Sequence, residues 1–220
     1  MRNYTIKSLC AGLIVLAISC NQTNRIVSPE KVGLSGDTLQ LASMKMKEYV
    51  DEGKIAGIST LIMKNGELVQ RENYGFADIE NKVPIRDNTI FRIYSMTKPV
   101  TAVALMTLYD EGKFQLDDKL SMYIPEFEYV MVYAPDSAAH YLEFQNNPLT
   151  IRNLLTHTSG IPYGWDPNSF VDSLYRVNGV GSWDATIGEK VKLLTEMPLK
   201  SQPGTKWEYG LSIDVAGYLV

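Results

Sequence analysis

Apolar positions recur at helical spacing through Leu39, Ala42, Met46, Tyr49 and Val50. They follow Ser35-Gly36-Asp37, which can cap a helix, and precede Gly53, which can end it. From Gly57 the pattern changes to that of a strand, GISTLIM. Asn65-Gly66 then supplies the dipeptide best suited to a tight hairpin, and LVQRENYG returns as the second strand of an antiparallel pair. A charged loop containing Pro84 covers 78–88. The run VTAVALMTLYDE, 100–111, is apolar on nearly every side and stops at Gly112, which predicts a helix buried in the core. Beyond it, 116–120 and Pro125 predict a short helix and a bend, and 129–149 shows no single pattern. A helical turn at 151–155 introduces a Gly- and Pro-rich loop, THTSGIPYG. Residues 163–183 read as a surface excursion rich in aromatics, 187–197 as a helix, 198–206 as a loop around Pro203-Gly204, and 212–220 as the opening of a further helix. Met44, Met46, Met96 and Met106 are expected to fill gaps in the core.

The first twenty residues stand apart. Arg2 and Lys7 precede an apolar stretch over 9–18 that is short for a membrane span and shaped like a secretory leader. It closes on Leu16-Ala17-Ile18-Ser19-Cys20, which is similar to a bacterial lipoprotein signal. That similarity implies lipidation of Cys20, a membrane tether through the lipid, and a place in the cell envelope, periplasm-facing or secreted. Residues 21–34 read as a tether. Both cysteines, Cys10 and Cys20, lie in the leader, so no internal disulfide is expected.

Composition narrows the function classes. With 45% hydrophobic and 21% charged residues in 220, the chain is globular. Lys and Arg number 21 against 25 Asp and Glu; losing Arg2 and Lys7 with the leader leaves 19 against 25, a net charge of −6. Mild acidity without a basic stripe argues against a nucleic-acid surface. His140 and His157, with no cysteine beyond Cys20, are too few ligands for a structural zinc site, and no cofactor is implied. Gly179-Val180-Gly181 lacks the strand, third glycine and distal acid of a dinucleotide site and reads as a turn.

The candidate chemistry lies at Ser95-Met96-Thr97-Lys98. A serine at a helix mouth meets unpaired backbone N–H groups and the positive end of the macrodipole, both of which favour developing negative charge. A lysine three residues on shares its face, roughly 5–6 Å away between Cβ atoms. Burial there is expected to lower the proton affinity of Lys98. Pro99 disfavours helical angles at Lys98, so an irregular first turn is expected. The spacing alone does not decide, because Ser28 and Lys31 repeat it within the tether. His157 and Ser159 sit in one tight loop without a Gly-x-Ser-x-Gly elbow and read as loop-fixing residues.

Three ordered blocks, FRIYSMTKPVTAVALMTLYDEGKFQLDDKLSMYIPEF, LTIRNLLTHTSGIPYG and PLKSQPGTKWEYGLSIDVAGYLV, resemble the serine hydrolases related to class C β-lactamases, D-alanyl-D-alanine carboxypeptidases and their esterase cousins. The resemblance implies an α/β fold of the α+β type: an antiparallel sheet flanked by helices plus an all-helical region. It makes 35–220 the N-terminal portion of such a domain, ending ahead of the family's later strands and of its Lys-Thr-Gly or His-x-Gly block. It further implies acylation on Ser95, with Lys98 and Tyr209 completing the site and a small-molecule acyl substrate. Where the β-lactamases usually carry Tyr-x-Asn, this chain has Tyr209-Gly210-Leu211, and leucine cannot bond a substrate amide. The expectation therefore moves toward carboxylic esters. β-Lactams and D-alanyl peptides are the alternative substrates, and a non-catalytic envelope binding protein on the same fold is the alternative of another class.

Overall fold

The computed structural model describes residues 25–135 and 140–220, so Cys10, Cys20 and the leader lie outside the described residues. The chain divides into two compact units, one ending at Arg92 and the other running from Ile93 to Val220.

In the first unit, helix α1 (Gly36–Asp51) starts where Ser35 Oγ accepts the Thr38 N–H, and Gly53 follows its end with a left-handed φ of 69°. Strands β1 (Gly57–Lys64) and β2 (Glu67–Asp78) pair antiparallel. Asn65 and Gly66 take φ values of 55° and 77°, the two positive angles a hairpin turn of the primed kind requires. The 78–88 loop contains a two-residue strand, β3 (Val83–Pro84), on the free edge of β2, where a proline costs no ladder bond. Ser28 and Lys31 flank and join a 3-10 turn (Pro29–Val32), and Lys31 pairs with Glu67 at 2.8 Å on the surface. No residue of α1 is buried, and Met44 and Met46 are exposed rather than filling core gaps. A hairpin with one short edge strand is too narrow to cover a four-turn helical stripe.

The second unit holds the main core, built on Leu105, Phe127, Leu154, Val171, Leu199 and Val215 among others. It is helical apart from one hairpin, β4 (Val132–Pro135) with β5 (His140–Glu143), which occupies the stretch whose sequence shows no single period. Its helices are α2 (Thr97–Asp110), α3 (Ile151–Leu155), α4 (Phe170–Val177), α5 (Ile187–Thr195) and α6 (Ser212–Leu219). Thr150 and Asn153 form a reciprocal cap that starts α3, and Thr186 with Glu189 does the same for α5.

Two expectations fail here. The 163–183 stretch is not a plain surface excursion: α4 buries Val171, Asp172 and Tyr175, a stripe too short to register between glycine-rich flanks. And α2 is not buried all round. Leu105 is its one buried residue, while Val100 and Val103 are 62% and 65% exposed and Met96 is exposed as well. The helix rests on α6, where Gly217 approaches Thr101 closely, and presents its other sides outward.

Candidate active site

Ser95 sits in a 3-10 turn (Tyr94–Met96) that runs directly into α2. Pro99 falls in the first turn of that helix, where a missing N–H breaks no bond, so the expected irregularity is displaced to the turn before it. Tyr94, next to the serine, holds a φ of 47°, a left-handed conformation uncommon for a bulky aromatic residue. The result is an exposed hydroxyl at the positive end of a fourteen-residue helix.

Lys98 lies one turn on, half-buried. Its ammonium donates to Ser95 Oγ at 3.4 Å and to the Tyr163 hydroxyl at 2.7 Å, and lies 4.9 Å from the centre of the Tyr209 ring. Tyr209 faces the same pair, and both Ser95 and Lys98 act electrostatically on its phenol. The structure thus brings Ser95, Lys98 and Tyr209 together and adds a residue the sequence reading did not single out, Tyr163. It stands 65 positions from Lys98, too far for any local spacing to link them. The one available signal was its place in the Ile161-Pro162-Tyr163-Gly164 loop.

Electrostatics move the two groups in opposite directions. The bonds from Ser95 and Lys98 favour the phenolate, and they hold Tyr209 below the usual range of a phenol. Lys98 departs from expectation. Burial pulls its proton affinity down, but the bonds to Tyr163 and Tyr209 outweigh burial and carry it above an ordinary lysine. The two directions favour an ammonium at Lys98 and make a phenolate at Tyr209 easier to form.

The second tyrosine is set in place by close backbone packing. At Gly210 a Cβ would fall 1.9 Å from the Ile161 carbonyl oxygen, so only glycine lets the Tyr209 segment lie against the Ile161 loop. His157 accepts the Glu208 N–H on its carbonyl at 2.8 Å and packs its ring 4.9 Å from that of Tyr209. Burial and the charge of Lys98 keep its imidazole below the ordinary histidine range, hence neutral. Ser159 is fully buried, sharing a 2.7 Å bond with Ser212 Oγ and accepting the Ile161 N–H. Both act as loop-fixing residues, as their sequence context suggests.

Residues 43–220 match the family described as Beta-lactamase. The chain belongs to the Beta-lactamase family. Protein Rv1367c of Mycobacterium tuberculosis is 38% identical over 181 residues, covering 80% of this chain and 43% of that protein. Esterase EstB of Burkholderia gladioli is 34% identical over 173 residues, covering 77% and 41%. Among solved structures, EstCE1, a hydrolase with promiscuous acyltransferase activity, superposes with a TM-score of 0.68 at 28% identity over 82% of this chain and 45% of that one. The chain spans less than half the length of these relatives.

In this Beta-lactamase-family chain the residue at the third place of the Tyr209 triplet, Leu211, is buried in the hydrophobic core and offers no polar group to a substrate. Behind the tyrosines, the Lys200 ammonium contacts Asp172 at 2.9 Å, Glu208 at 3.2 Å and Asp166 at 3.7 Å. It ties α4 and the Trp165 loop to the segment that carries Tyr209. Burial pushes the Asp172 carboxyl up, but bonds from Ser169 and Lys200 prevail and hold it below the ordinary value. Because the folded value is the lower one, this stabilisation is complete at neutral pH and is lost as pH falls through the carboxylate range. Lys200→Met leaves Asp172 charged, buried and unpaired, so unfolding of the full-length protein in urea should show a loss of about 3 kcal/mol at pH 7. The double variant Lys200→Met/Asp172→Leu should recover much of that loss.

Proposed function

We propose that the complete protein is an exported serine hydrolase that forms an acyl-enzyme on Ser95 and acts on carboxylic esters. The observation that carries this reading is the ammonium of Lys98 set between the Ser95 hydroxyl and two phenols, one of which, Tyr209, has its proton affinity lowered. Support also comes from the esterase and the hydrolase with acyltransferase activity among the similar proteins.

Tyr209, as phenolate, takes the Ser95 proton while Oγ attacks the ester carbonyl carbon. The carbonyl π pair moves onto oxygen, and the charge develops near the N-terminus of α2. Collapse breaks the bond to the alcohol oxygen, which leaves with the proton from Tyr209. Water then repeats the cycle: it loses a proton to Tyr209, adds to the acyl carbon and releases Ser95, which is reprotonated. Lys98 keeps its proton throughout and holds both oxygens by charge and hydrogen bonding. Lysine and tyrosine titrate together, so the measured constants belong to the pair.

The ester preference rests on Leu211, since a site without a polar partner at that position has lost one grip on an amide-bearing substrate. The full-length protein should turn over p-nitrophenyl acetate with kcat/KM at least about a hundredfold above that for nitrocefin, a margin in the range one lost substrate bond commands. Equal or greater turnover of nitrocefin would favour a β-lactamase. Tight ligand binding with no turnover of either would favour the binding-protein alternative.

Cys20 is proposed as a lipidation site that anchors the protein to the envelope membrane, on the strength of the apolar stretch over 9–18 and the residues leading into the cysteine. Metabolic labelling with palmitate should mark the wild-type protein and leave Cys20→Ala unmarked. Equal labelling of both would remove the anchor.

A further inference from the structure

The phenol that bonds Lys98 has a second role in the geometry. The ring of Tyr163 stacks on Trp165 at 4.1 Å with 4° between the planes, and together they line one side of a cavity of about 660 Å³. Tyr175 and Arg176 of α4 line it as well, and Gly179, Gly181 and Ser182 line it with little side-chain bulk. The volume is in the range of small-molecule sites, and aromatic walls with a few polar groups are their usual lining.

The cavity is preformed. Arg176 Nη1 donates to the carbonyls of Gly164 and Asp166, at 2.7 and 2.9 Å, which pins the loop bearing Trp165 to α4. Gly164, at a φ of 88°, brings that loop so close that an added Cβ would sit 3.1 Å from Tyr175 Cβ. Tyr175 itself is fully buried and donates to the Pro198 carbonyl. Against this rigid wall Trp165 remains 70% exposed, and Trp183, next to Ser182, is 88% exposed. The open indole of Trp165, on the wall of this aromatic-lined hollow, is apolar area that a bound group would cover.

We propose that this cavity receives the largest apolar substituent of the substrate, an aromatic or similarly bulky group, and that Tyr163 couples its occupancy to the reaction by sharing its hydroxyl with Lys98. The occupant is the ester's own substituent, not a separate ligand, because the cavity wall and the Lys98 partner are one residue. The inference rests on the acyl-enzyme reading above, and its test separates the two.

Gly181 is the lever. An added Cβ there meets nothing within 4 Å and its φ is not in the left-handed region, so a side chain can enter the hollow without strain. In the full-length protein, Gly181→Leu should lower the ratio of kcat/KM for p-nitrophenyl phenylacetate to that for p-nitrophenyl acetate by about tenfold or more, the scale of a blocked apolar contact. Benzyl acetate against ethyl acetate tests the alcohol side in the same way. A fall in either series supports the proposal, and ratios within twofold of wild type in both overturn it, even if all rates drop together. Binding of p-nitrophenyl phenylacetate to Ser95→Ala, followed by quenching of tryptophan fluorescence, needs no turnover. Weakening by Gly181→Leu in that background supports the cavity even if the acyl-enzyme reading fails, and unchanged binding counts against it.

Discussion

Ser95→Ala is expected to abolish fluorophosphonate labelling of the full-length protein and to lower ester turnover by roughly 10⁴-fold or more, the scale on which loss of a nucleophile is felt. The reasoning is geometric. Ser95 is the hydroxyl bonded by the Lys98 ammonium, with the Tyr209 ring packed by the same ammonium, at the start of a helix that can receive negative charge. Ser159, the other serine in a sequence block of interest, is fully buried and committed to Ser212, so it cannot substitute. Gel fluorescence after labelling, with Ser159→Ala as comparison, reads the result directly. If Ser95→Ala labels as strongly as wild type, the nucleophile has been misassigned.

The second large effect is expected at Tyr209. Replacing it with phenylalanine keeps the ring that packs on His157 and removes only the oxygen, so KM should change little while kcat falls by about 10²–10⁴, the contribution of a placed general base. The pH dependence carries the sign. In the proposed mechanism the active form of Tyr209 is the deprotonated one, and its interactions with Ser95 and Lys98 make that form easier to reach. Wild-type kcat/KM should therefore climb with pH and level off at a midpoint below ~10, the value for an ordinary phenol. Lys98→Met removes the charge that favours phenolate, so the midpoint should move upward as the plateau drops. A midpoint that stays put in Lys98→Met would mean that another group takes the proton.

How much of this could be read from the sequence depended on how local the cause was. Asn65-Gly66 announced its hairpin because the two positive φ angles belong to those residues alone, and Ser35 announced α1 because a cap acts within one turn. The grouping of Ser95 with Lys98 follows from helical spacing, whereas Tyr209 joins them through tertiary packing and was reached by family resemblance. Tyr163 was missed because nothing within its own loop points to Lys98. The proton affinity of Lys98 was misjudged for the same reason. Burial could be anticipated from the apolar run, but two phenols arriving from other segments reverse its effect. The α4 stripe of Val171, Asp172 and Tyr175 escaped because a two-turn helix with a buried acid violates the pattern that sequence reading seeks, and Lys200, which makes that acid tolerable, lies 28 positions away (200 minus 172).

The burial of Leu211 also bears on whether one substitution there could supply the amide grip of the lactamase triplet. Writing asparagine into that single position would restore the letters of the lactamase triplet, but it would insert a carboxamide among hydrocarbon side chains and forfeit about 1–3 kcal/mol to unmet bonds. For an asparagine at this place to meet a substrate amide, its side chain would have to leave the interior in which Leu211 is packed.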